Sequence, residues 1–370
     1  MSALATETTT VTAPTAPLVT AVKHALLAVP RRPAAPILAH VRVSAGSGSL
    51  EVSGYDFETA VTRAVDAEGA LETVLVPGRT LKDALSRLDQ RKDVSLSGDA
   101  ERLVITQGTR TVALKTEDRA EYPTLPTAPK DTVLETTGGH LADMTQGLIP
   151  FTGTDDTLPV LTGIHFKLEG DTLVGEATDR FRAAYMHTLV LGRGKELDVL
   201  VPHMTRVAAV IGRDEPVTVS VKDQTIFFAS ATATISQRLL EGEFPKIRAL
   251  FPSETTTVAT LDPTAFLSAL KFVEVGVARN EAVKVEVDDE RLRLVATDGD
   301  SQHSDTVPAA VAGGSLATGF NPKFLGEVVK VWGKTEPVRM RLTTPTKPAL
   351  FESDSIPTLR VLLMPRRLVD

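Results

Sequence analysis

The chain has 370 residues, 42% of them apolar and only 5% aromatic, which suits two or three domains with aliphatic cores. It has no cysteine, which excludes disulfides, thiolate zinc sites and thiol catalysis, and no apolar run near the roughly 18 residues of a membrane span. A formal net charge of −7 excludes a surface coated in cations, so any contact with nucleic acid rests on local charge asymmetry.

Residues 1–17 are a Thr/Ala/Pro tract without the basic start and apolar centre of a secretion signal, and their composition predicts a disordered tail. A helix is predicted over residues 19–29, with Val22, Leu26 and Leu27 on one face. The alternating stretch Leu50-Glu51-Val52-Ser53-Gly54-Tyr55 reads as a half-buried strand and ends on Asp56. A second strand-like run leads to Pro77, which opens an amphipathic helix through Leu81, because proline suits a first turn whose N–H lacks a partner anyway. The segment closes on Tyr122-Pro123.

The same order recurs twice. A helix over residues 139–150 precedes Leu173-Val174-Gly175-Glu176-Ala177-Thr178-Asp179, then Pro202, an alternating run over 217–221 and Phe244-Pro245. A helix over residues 262–278, with Phe266, Leu267, Leu270 and Val273 at helical spacing, precedes Leu292-Arg293-Leu294-Val295-Ala296-Thr297-Asp298, then Pro322, an alternating run over 338–342 and Met364-Pro365. The three aspartates are 123 and 119 positions apart, and the closing proline follows its aspartate by 67, 66 and 67. Spacing kept to one residue over that length marks three tandem copies of one unit. The copies span 18–130, 131–255 and 256–370. Each reads as β-strands backed by two helices on one face, an α+β unit. Three such units can form a curved segment, and two-fold pairing of curved segments is a common way to close a ring.

Enzyme signatures fail on spacing. Gly333-Lys334-Thr335 ends like a phosphate loop, but the preceding glycine, Gly326, leaves six residues between where four are needed. Gly46-Ser47-Gly48 has Glu51 in place of the third glycine of a dinucleotide fingerprint and suits a hairpin turn better. Asp155-Asp156 and Asp298-Gly299-Asp300 lack a surrounding calcium loop. His24, His40, His140, His165, His187, His203 and His303 show no metal-ligand spacing. Neither a metal, a cofactor nor a catalytic residue is indicated.

Four segments carry a resemblance: Leu240-Glu241-Gly242-Glu243-Phe244-Pro245-Lys246-Ile247-Arg248, Ala177-Thr178-Asp179-Arg180-Phe181-Arg182, Gly319-Phe320-Asn321-Pro322-Lys323-Phe324-Leu325, and the terminal Leu363-Met364-Pro365-Arg366-Arg367-Leu368. Together with the co-linear repeats they resemble the bacterial β sliding clamp, from about residue 18 to the end. The resemblance implies three tandem DNA-clamp domains with antiparallel sheets outside and two helices per domain inside, closing as a head-to-tail homodimer. It implies a cytoplasmic, non-catalytic processivity factor that encircles double-stranded DNA, is set in place by a clamp loader and tethers the replicative polymerase. Basic residues on the inner helices would face DNA, namely Lys23, Arg31, Arg32, Arg79, Lys82, Arg87, Arg206, Lys271, Arg279, Lys323 and Lys330. Phosphate contacts of that kind carry no base readout. The bland reading, solvated helix faces, fits the same residues.

In the family, a groove between the second and third domains takes short linear motifs of polymerases, loader and repair proteins. The matching positions are Leu161, Thr178, Arg180, Phe181, Arg182, Pro245, Leu250, Val283, Asn321, Phe324, Met364, Pro365, Arg366 and Arg367. Without the resemblance, Leu161, Val283 and Leu250 would be ordinary core residues. Arg180-Phe181 stands where the family commonly has Gly-His, Ala249 where an arginine is frequent, Arg366 at a usually apolar position, and Val369-Asp370 beyond the usual final leucine. A specialised additional clamp with altered partner or inhibitor binding is therefore a second reading. A third is a repeat-built enzyme or ligand-binding protein with its site at a domain junction.

Overall fold

The structure is a computed structural model that describes residues 9–277, 281–298 and 301–368. Its strands pair antiparallel in sheets of five, nine and twelve strands. Six α-helices accompany them among the described residues: α1 (Thr15–Ala25), α2 (Gly78–Ser86), α3 (Gly138–Leu148), α4 (Met204–Val210), α5 (Pro263–Val273) and α6 (Pro322–Lys330). That is two helices for each repeat. Among the described residues, no helix is long and apolar enough to cross a membrane.

The tail is shorter than its composition predicts. Thr9–Pro14 is a strand paired to Asp93–Gly98 and to Glu68–Gly69, with Val11 and Ala13 buried, and α1 follows at once from Thr15. Thr and Val are β-branched, so the tract reads as low complexity in isolation but fits a pleated edge once a partner strand is present. The buried face of α1 is accordingly Leu18, Val19, Val22 and Ala25, while Leu26 and Leu27 of the expected stripe lie in a half-buried 3-10 turn.

The prolines open their helices in three ways. Pro322 occupies the first turn of α6, where Asn321 Oδ1 accepts from the Phe324 amide at 3.3 Å. Pro77 is the cap residue of α2, and Pro202 stands two residues before α4. The repeated aspartate has a physical role in the first two copies. Asp56 Oδ1 accepts from the Thr59 amide at 2.6 Å, and Asp179 Oδ1 accepts from the amides of Phe181 and Arg182 at 2.9 and 2.8 Å. Each carboxylate thereby ties the turn between two paired strands.

The chain forms two compact units, residues 1–142, 191–195 and 205–239, and residues 143–190, 196–204 and 240–370. Each unit joins one whole repeat to part of the second. In the first, Ala233–Arg238 of the second repeat pairs with Thr59–Asp66 of the first, and the core gathers Val11, Leu18, Leu50, Leu81, Leu96 and Leu103. In the second, Leu359–Leu363 of the third repeat pairs with Arg182–Leu189 of the second.

Candidate functional site

The tip of the hairpin joining Thr172–Thr178 to Arg182–Leu189 is over-determined by hydrogen bonds. Thr178 Oγ1 donates to the Arg182 carbonyl at 2.6 Å and accepts from the Arg180 amide at 3.1 Å, holding Arg180 at a left-handed φ of 78°. The Phe181 carbonyl accepts from the Met364 amide at 2.9 Å, which fixes the C-terminal segment to the tip.

Arg182 is 6% exposed and fully engaged. Its Nε and Nη2 bond Asp179 Oδ2 at 3.0 and 2.8 Å, and Nη1 meets Glu327 Oε2 of α6 at 2.5 Å. The guanidinium carbon lies 4.5 Å from the Phe324 ring centroid and 5.5 Å from that of Phe151. A planar, weakly hydrated cation suits this setting, which compensates the charge with two carboxylates and sets two aromatic rings against it. Phe181 stacks on Phe324 with centroids 5.6 Å apart yet stays 52% exposed.

Two cavities open beside this tip. One of about 710 Å³ is walled by Leu161, Asp179, Phe181, Lys323, Phe324 and Glu327. One of about 130 Å³ is walled by Thr178, Ala183, Pro245, Ile247, Leu250 and Met364. Arg180 and Arg182 line both. A roomy chamber with charged walls beside a tighter apolar one can anchor apolar side chains and orient the chain between them.

Nine of the fourteen groove residues singled out in the sequence therefore meet at these cavities: Leu161, Thr178, Arg180, Phe181, Arg182, Pro245, Leu250, Phe324 and Met364. The other five line neither. Val283 is fully buried opposite Phe320, and Asn321 caps α6. Pro365 and Arg367 flank Arg366, whose amide bonds the Gly319 carbonyl at 2.7 Å and whose Nη1 bonds that of Glu281 at 3.3 Å. Sequence reasoning missed Ile247, Ala183 and Glu327. Ile247 lay within a quoted motif, but Ala183 and Glu327 carry no signal before strand and helix are brought together.

The basic residues expected on inner helices divide into free and engaged. Lys23 of α1, Arg31, Arg32, Lys271 of α5 and Lys330 of α6 are exposed. Arg87, which ends α2 through its backbone, is exposed as well, whereas Arg79 donates to the Pro30 carbonyl at 3.2 Å and Lys82 pairs with Asp83 at 2.8 Å. Arg206 is turned inward, donating to Thr59 Oγ1 at 2.7 Å with Asp56 at 3.7 Å, and Lys323 lines the larger cavity. Arg279 lies outside the described residues.

Next to the smaller cavity's wall sits a charged cluster. His165 Nδ1 is 3.0 Å from Glu176 Oε2 and its Nε2 is 2.7 Å from Asp198 Oδ1, while the ring stacks on Phe244 at 4.8 Å. Arg248 bonds the same Glu176 at 3.3 Å and Glu169 at 3.0 Å. Burial pulls His165 below its usual value, but the hydrogen bonds to Glu176 and Asp198 outweigh it and raise it. Both ring nitrogens facing carboxylates calls for the imidazolium, which alone donates twice.

The sequence matches the family profiles of the DNA polymerase III β subunit N-terminal, central and C-terminal domains over residues 9–126, 149–246 and 248–367. The chain belongs to the DNA polymerase III β subunit family, the β sliding clamps. The β sliding clamp of Streptomyces coelicolor is 33% identical over 369 residues, covering 95% of this chain and 97% of that protein. The β sliding clamp homolog GriR of Streptomyces muensis is 31% identical over 305 residues, 80% of each chain. Among solved structures, the polymerase III β subunit of Thermotoga maritima shares 25% identity at a TM-score of 0.88, covering 98% of this chain and 100% of that one. A Pseudomonas aeruginosa sliding clamp bound to griselimycin has a TM-score of 0.90 at 21% identity with the same coverage, a likeness of fold. This sliding clamp is thus a three-domain, non-catalytic DNA replication protein.

Proposed function

We propose that two copies of this clamp pair head to tail into a closed ring around duplex DNA in the cytoplasm. In this reading the two cavities form the groove for peptides of the polymerase, clamp loader and repair proteins, with joints between domains near 130 and 256. The carrying observation is an unequal strand pairing among the repeats. Thr59–Asp66 of the first repeat is covered by Ala233–Arg238, and Arg182–Leu189 of the second by Leu359–Leu363. The equivalent strand of the third repeat, Ser301–Gly313, is paired over 301–308 only to Arg291–Asp298 among the described residues. The matching cover, Arg110–Lys115 of the first repeat, ends its five-stranded sheet. Each is an open edge that favours a strand from another chain.

The cover hairpins of the first two repeats, and the aspartate hairpins of the first and third, keep the same register, so the pairing of Thr59–Asp66 with Ala233–Arg238 transfers. It sets Arg110 opposite Asp305 of the partner subunit and Val112 opposite His303 of the partner subunit. Opposed charges of this kind contribute about 0.2–1 kcal/mol. Phe272 and Val275, 57% and 80% exposed at the end of α5 with Phe272 against His303, supply apolar surface beside that edge. Lys23, Arg31, Arg32, Arg79, Lys82, Arg87, Lys271 and Lys330 are the cations this reading turns to phosphates; Arg206 and Lys323 are assigned to Asp56 and to the groove.

Light scattering tests the ring, with a dimer expected and a monomer refuting it. Arg110→Asp and Asp305→Arg should each shift the mass towards monomer, and the two together should restore the dimer. Retention on circular but not linearised DNA tests encirclement. The half-exposed Phe181 stack favours a second reading, a specialised additional clamp. Ordinary family affinity for peptides of clamp-binding partners, unchanged in Phe181→His, would remove it.

A further inference from the structure

The strand registers of the first two repeats superpose residue by residue around His165. Arg42 pairs with Ser53 as His165 pairs with Glu176, both offset by the 123 positions that separate Asp56 from Asp179. Arg42 also faces Leu75 as His165 faces Leu200, and Thr73, beside the register shift between Val43 and Ala45, is the nearest counterpart of Asp198. The second repeat thus neutralises its cation with two carboxylates of its own. The first repeat has hydroxyl groups at both places, and Arg42 forms no ion pair or hydrogen bond among the described residues.

A cavity of about 450 Å³ lies over this uncompensated guanidinium, walled by Arg42, Thr73, Arg119 and Tyr122 on its polar side and by Leu75, Pro123 and Leu125 on its apolar side. The Tyr122 hydroxyl is enclosed beside the Tyr55 backbone, with no well-aligned hydrogen-bond partner among the described residues. Burial pushes this phenol up to about 12, so it stays a proton donor at neutral pH. The carboxylate of Asp56, which lies near the same ring, is held by Arg206 and by the amides of Glu58 and Thr59. Among the described residues, Arg119 reaches only an exposed Glu72, at 3.7 Å.

We propose that this first-repeat cavity is a second peptide site, one that takes an Asp or Glu side chain on Arg42. A neighbouring apolar residue of the peptide rests on Pro123 and Leu125. The apolar wall favours a peptide over a nucleic-acid phosphate, which needs none. A carboxylate on this guanidinium reproduces what Glu176 and Asp198 do for His165.

Fluorescence anisotropy of a labelled acetyl-Asp-Glu-Leu peptide on the full chain tests this, with acetyl-Asn-Gln-Leu as its neutral control. The acidic peptide is expected to bind and the neutral one not. Arg42→Gln should weaken binding roughly tenfold, the usual size of one lost charged hydrogen bond. Thr73→Asp should do the same by supplying the internal carboxylate, without lowering the melting temperature. Equal binding of both peptides, or wild-type affinity in a folded Arg42→Gln variant, would overturn the proposal. So would displacement of the peptide by a duplex oligonucleotide at equal or lower concentration, which would make the cavity a phosphate site.

Discussion

Arg182 illustrates how one side chain holds several segments. It joins a hairpin tip through Asp179 to α6 through Glu327 and fills the space between two phenylalanine rings. Replacing it with methionine leaves the half-buried Asp179 without its cation, so Arg182→Met should destabilise by about 3 kcal/mol, read as a lower urea midpoint. His165 makes a pH-dependent contribution. Its folded value is raised, so its stabilisation is complete below the unfolded value of 6.5 and is lost as pH rises through the folded value. The urea midpoint should therefore fall as pH rises above 6.5 by more in the wild type than in His165→Gln, and equal slopes would exclude the histidine as the cause. The sequence did not distinguish His165 from the other six histidines, because its two carboxylates come from different strands.

At the scale of elements, close approach of helix to sheet decides what the pattern leaves open. A Cβ on Gly54 would stand 2.2 Å from the carbonyl oxygen of Ala25, the last residue of α1. Gly54→Ala should cost about 1–3 kcal/mol by prising α1 from its strand, measurable by thermal denaturation, and a neutral effect would mean the helix end yields freely. Asp262 Oδ1 caps α5 by accepting from the Ala265 amide at 2.7 Å. Asp262→Ala should lower stability by about 1 kcal/mol in the same assay. Helix number and the aspartate turns were legible because capping and periodicity are local. The strand at Thr9–Pro14 was not, since its partner is Asp93–Gly98, some eighty residues away.

For the whole molecule, a net charge of −7 and scattered basic helix residues predict weak, sequence-independent DNA contacts. Binding to short linear duplexes should fall steeply with salt, while retention on a closed circle persists; parallel loss of both would refute topological holding. The sequence by itself determined the three repeats and their offsets, because side-chain period, turn chemistry and spacing are written along the chain, and the family resemblance singled out nine residues that meet at the two cavities. Only the tertiary structure decided that sheets run across the repeat boundaries, that Arg206 turns to Asp56 and Val283 into a core, and that the open edges lie at Arg110–Lys115 and residues 301–308. The physical reason is that strand partners and ion pairs are set by proximity in space, which a repeat pattern constrains but does not encode.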